Sequence, residues 1–148
     1  MVWKTDISEG ANAPIRAFFG AKTALLLGPM MPVLLRDNKP DIPWPDYLDL
    51  PGGGREGGES PLDCALRETA EELGLRVAPR DIHWGRNYRD VAGREVWFFV
   101  ARLDVAREAD IRMGDEGQGW QMIRPAEYIT HPKGIPPFQE RLRAYFAA

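Results

Sequence analysis

The chain has 148 residues, with 19 lysines and arginines against 22 aspartates and glutamates, for a formal net charge of −3. That length predicts one domain over residues 1–148, and a 44% hydrophobic share supplies an ordinary core. The mild acidity, without a dense Lys/Arg cluster, excludes a sequence-independent grip on nucleic acid. A single Cys64 makes neither an internal disulfide nor a Cys-rich zinc site. The longest uncharged stretch, 23–35, is shorter than the roughly 18 apolar residues of a membrane span and is broken by Gly28, Pro29 and Pro32. The first ten residues carry Asp6 and Glu9 and lack the apolar run of an export signal, so the expected setting is cytoplasmic.

In chain order, residues 1–20 read as an N-terminal extension or an edge strand. Two apolar runs, 24–27 and 33–36, read as strands joined by a tight connection through Gly28-Pro29. Residues 37–46 contain Pro40, Pro43 and Pro45, which predict an exposed loop holding Trp44 extended. A short strand at 47–50 runs into Pro51-Gly52-Gly53-Gly54. A helix over 61–73 follows, with Ser60 as N-cap, Pro61 in its first position, Asp63 placed for a capping-box-like pair and Gly74 as its stop. Leu62, Ala65, Leu66, Thr69 and Leu73 recur at steps of three and four and form its buried stripe. Residues 82–88 and 95–103, flanking Ala92-Gly93, predict a β-hairpin, and 119–123 a further strand. A C-terminal helix at about 137–147 presents Phe138, Leu142, Tyr145 and Phe146 to the core.

The opposite face of helix 61–73 carries the chemistry. Glu68, Glu71 and Glu72 stand at i, i+3 and i+4, within a sector of about 100°. Like charges so close repel, and a bound cation relieves them; oxygen-only ligands select a hard ion such as Mg²⁺ or Mn²⁺. A G-x-G-x-x-G pattern at 52–57 also suits a pyrophosphate turn, but four residues separate it from the helix proper and no G-K-[ST] follows.

Gly53, Glu59, Arg67, Glu68, Glu71, Glu72 and Gly74 stand at the spacing G-x5-E-x7-R-E-U-x-E-E-x-G-U, with U a bulky apolar residue. This resembles the Nudix box; the one departure is Thr69 at the first U. The resemblance implies an α/β fold, an α/β/α sandwich around a mixed sheet. It also implies hydrolysis of a nucleoside diphosphate linked to another group, with Mg²⁺ or Mn²⁺ as cofactor. By that resemblance Glu68, Glu71, Glu72 and the Gly52 carbonyl would hold the metal, and Glu59 would pair with Arg67. Gly53 and Gly74 would serve backbone geometry. A carboxylate near the metal, Glu71 or Glu72, suits the general base. An acid from a loop outside the box is the other source, and of Asp115 and Glu116 the latter is favoured.

Arg36 and Arg55 are candidate phosphate contacts, and Trp44, Tyr88 and Trp120 candidate stacking partners for a base. His83 and His131 are isolated in the sequence. Short flanks, and no proline between Pro79 and Pro125, resemble nucleoside triphosphate pyrophosphohydrolases, including those acting on oxidised nucleotides such as 8-oxo-dGTP. Hydrolysis of a nucleotide sugar, ADP-ribose or a dinucleoside polyphosphate is the alternative, as is a silent nucleotide-binding module. The implied partner is a small nucleotide, not nucleic acid or membrane, and a homodimer is compatible with the family.

Overall fold

The structure, a computed structural model, describes residues 17–148. Most of the expected N-terminal extension therefore lies outside the described residues. Strands β1 (Gly20–Leu27), β2 (Met31–Leu35), β3 (Leu48–Asp49) and β4 (Gly52–Gly54) precede helix α1 (Pro61–Leu73). After it come β5 (Ile82–Arg89), β6 (Glu95–Leu103), β7 (Gly119–Ile123), α2 (Pro125–Thr130) and α3 (Pro136–Ala147).

One sheet has the order β4-β1-β6-β5 and is mixed, since β1 runs parallel to β6 while β4 and β5 pair antiparallel. The second is antiparallel, β3-β2-β7. The period-two alternation of β1 and β6 divides the core. Ala21, Leu25, Trp97 and Phe99 pack with Leu62, Ala65 and Leu73 of α1, while Ala24, Leu26, Phe98 and Val100 pack with Tyr128 and Leu142 of α2 and α3. The result is a sandwich with α1 on one side and α2 and α3 on the other. Among the described residues no helix is long and apolar enough to cross a membrane.

Helix α1 begins and ends where its signals stand. Ser60 accepts a hydrogen bond from the Asp63 amide, and Gly74 takes the left-handed conformation at φ 67°. The reciprocal half of the capping box is absent among the described hydrogen bonds, so Ser60 alone caps the helix. Thr69, the departure from the box pattern, is buried, and its hydroxyl donates to the Ala65 carbonyl at 2.8 Å. A polar atom is thus accommodated on the apolar face without an unmet hydrogen bond.

The runs on either side of Gly28-Pro29 are, as expected, strands joined by a tight turn, β1 and β2, which enter different sheets. Elsewhere the structure differs from the sequence reading. Trp44 is not extended: its φ is 51° and that of Asp46 is 63°, both left-handed. Each such residue costs about 1 kcal/mol, which is offset where Asp46 N–H donates to the Asp37 carbonyl and Trp44 tilts onto Tyr47 at 5.1 Å. Phe146 is half exposed instead of packed, because Leu142 and Tyr145 already fill the face of α3 toward the core. Helix α2 was not anticipated, its six residues being too few to show a period.

Candidate active site

The box begins as backbone geometry. Gly52 has φ 148°, and a Cβ there would overlap the Ala21 carbonyl and the Lys22 backbone. Strand β4 thereby lies flat on β1, with Ala21 paired to Gly53 and Lys22 to Gly52. Gly53 gives room of another kind, because a Cβ would come within 2.5 Å of Glu68 Oε1. The missing side chain is the space into which the Glu68 carboxylate fits.

Two groups of carboxylates then separate around α1. Arg67 gathers one: its Nη2 donates to Glu59 Oε1 at 2.8 Å and to the Gly54 carbonyl at 2.9 Å, and Nε donates to Glu59 Oε2 at 3.0 Å. Nη1 meets Glu71 at 3.0 Å and Glu56 at 3.2 Å. The guanidinium beside Glu59 holds that carboxyl down at about 2, while its own pKa is pushed up by Glu59. Cys64 beneath this cluster is buried, and burial pushes its thiol up to about 12, which makes it inert packing.

Glu68 and Glu72 form the other group. Glu72 Oε1 accepts from the Gly52 amide at 2.6 Å. Burial nevertheless raises its pKa to about 7, with Lys22 acting in the opposite sense. Burial likewise raises Glu68, although Arg67 lies at 3.4 Å. Lys22 stands opposite, its Nζ donating to the Gly52 carbonyl at 3.0 Å, the Leu50 carbonyl at 3.2 Å and Asp49 at 3.1 Å. Buried Asp49 also pairs with Arg36 at 2.8 Å.

The loop after Ile111 reaches this place by capping α1. Arg112 and Gly114 amides donate to the Leu73 and Glu72 carbonyls at 2.8 and 2.9 Å, and a Cβ on Gly114 would press on the Glu71 carbonyl. The Gln118 side chain then donates to the Arg36 carbonyl at 2.7 Å. Glu116, Glu72, Arg36 and Asp49 consequently line one cavity of about 300 Å³. A larger cleft of about 630 Å³ adjoins the glycine strand, lined by Gly53, Lys22, Trp44, Tyr88, Phe138 and Arg141 among others.

The structure thus brings together Glu68, Glu72, Gly52, Arg36 and Glu116, and places Trp44 and Tyr88 on the adjoining cleft. Glu71 is turned outward onto Arg67, its side chain 53% exposed. In this conformation no three His, Cys, Asp or Glu side chains among the described residues are gathered to hold a metal ion. The donor set still fits a hard cation, since two carboxylates raised by burial and a neighbouring backbone carbonyl are all oxygen. Arg55 lies away from the clefts, over the Phe18 ring at 4.8 Å, and Trp120 is half-buried against the core on the α1 side. Lys22, Asp49 and Arg141 were missed. The signal for the first two was a lone charge in an apolar strand, GAKTALLL and LDL.

A sandwich with a glycine strand on one carboxylate-bearing helix defines a class, and the comparisons identify it. The NUDIX domain model matches residues 21–146, and the chain belongs to the Nudix hydrolase superfamily. A Nudix hydrolase of uncharacterised function from Pseudomonas aeruginosa is 33% identical over 103 residues, 68% of this chain and 59% of that one. An RNA pyrophosphohydrolase of Tolumonas auensis is 33% identical over 86 residues, 47% of this chain and 49% of its own length. The nucleoside triphosphatase NudI of Salmonella arizonae is 30% identical over 101 residues, 62% and 72% respectively. The chain thus spans about half to three fifths of the length of the first two. Among solved structures, an Ap4A hydrolase of C. elegans superposes with TM-score 0.69 at 20% identity, covering 86% of this chain and 96% of that one. A MutT protein of Methanosarcina mazei gives 0.69 at 18%, covering 88% and 93%. At such identity these structures support the fold.

Proposed function

We propose that this protein is a Mg²⁺- or Mn²⁺-dependent hydrolase of a phosphoanhydride bond in a nucleoside diphosphate-linked compound. A nucleoside triphosphate, cut to a monophosphate and pyrophosphate, is the leading substrate class. The observation that carries the reading is the pair Glu68 and Glu72, half-buried against the glycine strand, Glu68 on Gly53 and Glu72 on the Gly52 amide, where that strand borders an apolar cleft. Triphosphatase and pyrophosphohydrolase relatives agree with it.

The carboxylates of Glu68, Glu71 and Glu72 and the carbonyl of Gly52 would hold the ion, Glu71 rotating from Arg67 to join them. Such an ion neutralises phosphate oxygens and lowers the pKa of water. Arg36 keeps part of its fork free at the cavity rim, where it binds phosphate oxygens. Glu116, exposed and across from Glu72, accepts the proton of the attacking water at its carboxylate. Arg67, fixed by Glu59, holds the start of the glycine loop against α1, so that these groups do not reorganise during the reaction. The test is a phosphate-release screen of nucleoside triphosphates, 8-oxo-dGTP, ADP-ribose, nucleotide sugars and dinucleoside polyphosphates, with a chelator control. Chelator-sensitive cleavage of one class establishes the activity; binding without cleavage of any would favour a silent nucleotide-binding module instead.

A further inference from the structure

The 630 Å³ cleft is lined by a cation that no acid neutralises by direct pairing among the described residues. Arg141 is 8% exposed, and its guanidinium lies over the Tyr88 ring at 4.7 Å and the Phe138 ring at 5.7 Å. Among the described residues it makes no hydrogen bond or ion pair. Asp90, the nearest acid on the β5–β6 turn, is bound to Arg94, and Glu140 is exposed without pairing to it. The Tyr88 hydroxyl beside it is shut from solvent and also lacks a partner. The Arg141 guanidinium stands at the wall of the cleft with no acid or carbonyl paired to it among the described residues, where the acceptors of an entering ligand would meet it.

We propose that Arg141, stacked on Tyr88, reads the base of the substrate and selects a purine presenting two adjacent acceptors, the O6 and N7 of guanine. This rests on the nucleotide reading above and deepens it. The Phe138 ring has two cations beside it, Lys22 at 5.7 Å and Arg141 at the same distance. Phosphates belong beside Lys22 and the box carboxylates, which leaves the base for Arg141 and the Tyr88 and Phe138 rings it touches on the same cleft. A guanidinium fork matches O6 and N7 in one plane. Adenine offers a donor in place of O6, and 8-oxoguanine carries a proton on N7, so both leave an Arg141 donor facing a donor. The cleft therefore selects unmodified guanine over its oxidised form.

The test is calorimetric binding, without metal, of GMP, 7-deaza-GMP, AMP, 8-oxo-dGMP and ribose 5-phosphate to wild type, Arg141→Met and Arg141→Lys. GMP is expected to bind at least about tenfold tighter than the other four, a bidentate contact being worth a factor of about 5–150. Both variants should bind GMP and AMP alike, and Arg141→Met should melt no lower than wild type. Equal binding of GMP and 7-deaza-GMP to wild type, a preference retained by Arg141→Lys, or ribose 5-phosphate matching GMP would overturn the proposal. The 7-deaza comparison decides it even if Arg141→Met does not fold. Turnover plays no part in this readout: guanine-selective binding without hydrolysis would remove the hydrolase reading alone, and hydrolysis indifferent to the base would remove this one alone.

Discussion

Helix α1 and the loop before it carry two sets of carboxylates from one short stretch of sequence, and they live in opposite conditions. Glu59, with Glu71 and Glu56, surrounds the Arg67 guanidinium and is held ionised by it, Glu59 down at about 2. Glu68 and Glu72 are desolvated more than the neighbouring Arg67 and Lys22 offset, and Glu72 is pushed up to about 7. The first set stabilises the loop; the second stores an unmet need for a cation. Spacing alone makes all five look alike, and the difference lies in which side of the helix faces the glycine strand.

The sharpest way to break this division is Glu72→Gln, expected to cut turnover by at least about 100-fold while the metal-free protein melts no lower than wild type. A phosphate-release assay beside a thermal melt checks both, and full activity in this variant would remove the metal-site assignment. Gly53→Ala comes next: the new methyl displaces the Glu68 carboxylate, so Mg²⁺ should raise the melting temperature of wild type and not of the variant. Arg67→Met attacks the other set and should cost about 1–2 kcal/mol in urea unfolding, since the pair is part exposed, with Arg67→Lys only partly restoring it. The two sets also differ in sign with pH. Glu59, lowered, contributes stability that is complete above 4.5 and lost as pH falls toward about 2. Glu72, raised, contributes stability present below 4.5 and lost as pH rises through about 7. Calorimetry of metal-free protein should therefore show a fall in melting temperature from pH 5 to 8 that Glu72→Gln lacks. The smallest effect is expected from Lys22→Met, which frees the Gly52 carbonyl and should tighten Mg²⁺ binding a few-fold, read from the midpoint of the thermal shift.

Much of this was legible in the sequence because the signals are local. Ser60, Pro61 and Gly74 bound α1 within its own residues, and the seven box positions lie in one 23-residue span from Gly53 to Leu75. The strand Gly119–Ile123 and the β5–β6 hairpin likewise depend on near neighbours. What was not legible depends on distant partners. Lys22 becomes part of the site only because β4 folds back on β1, a contact across 30 residues. Arg141 reaches the cleft only when α3 closes over the second side of the sheet, and its sequence neighbours give no hint of that. The left-handed Trp44 defeats the usual preference of a residue before proline, because its support comes from Tyr47 and Asp37 rather than from its own dipeptide. Arg55, a cation in the glycine loop, lies over the Phe18 ring at 4.8 Å, a neighbour 37 positions away in sequence that the loop itself does not announce.

The loop that carries Glu116 is tied at both ends, to the last carbonyls of α1 and to Leu35 and Arg36 of the second sheet. It therefore behaves as a gauge of fixed length between two parts of the molecule. Adding or removing one residue between Gly114 and Gln118 would detach either the helix end or β2, and Glu116 would leave the cavity with it. The turn between β5 and β6 is free of that constraint: Val91 at its tip is fully exposed, and its described hydrogen bonds run among Arg89, Asp90, Ala92, Gly93 and Arg94, all within the hairpin. Changes in chain length among relatives should accumulate at that turn and avoid residues 112–118.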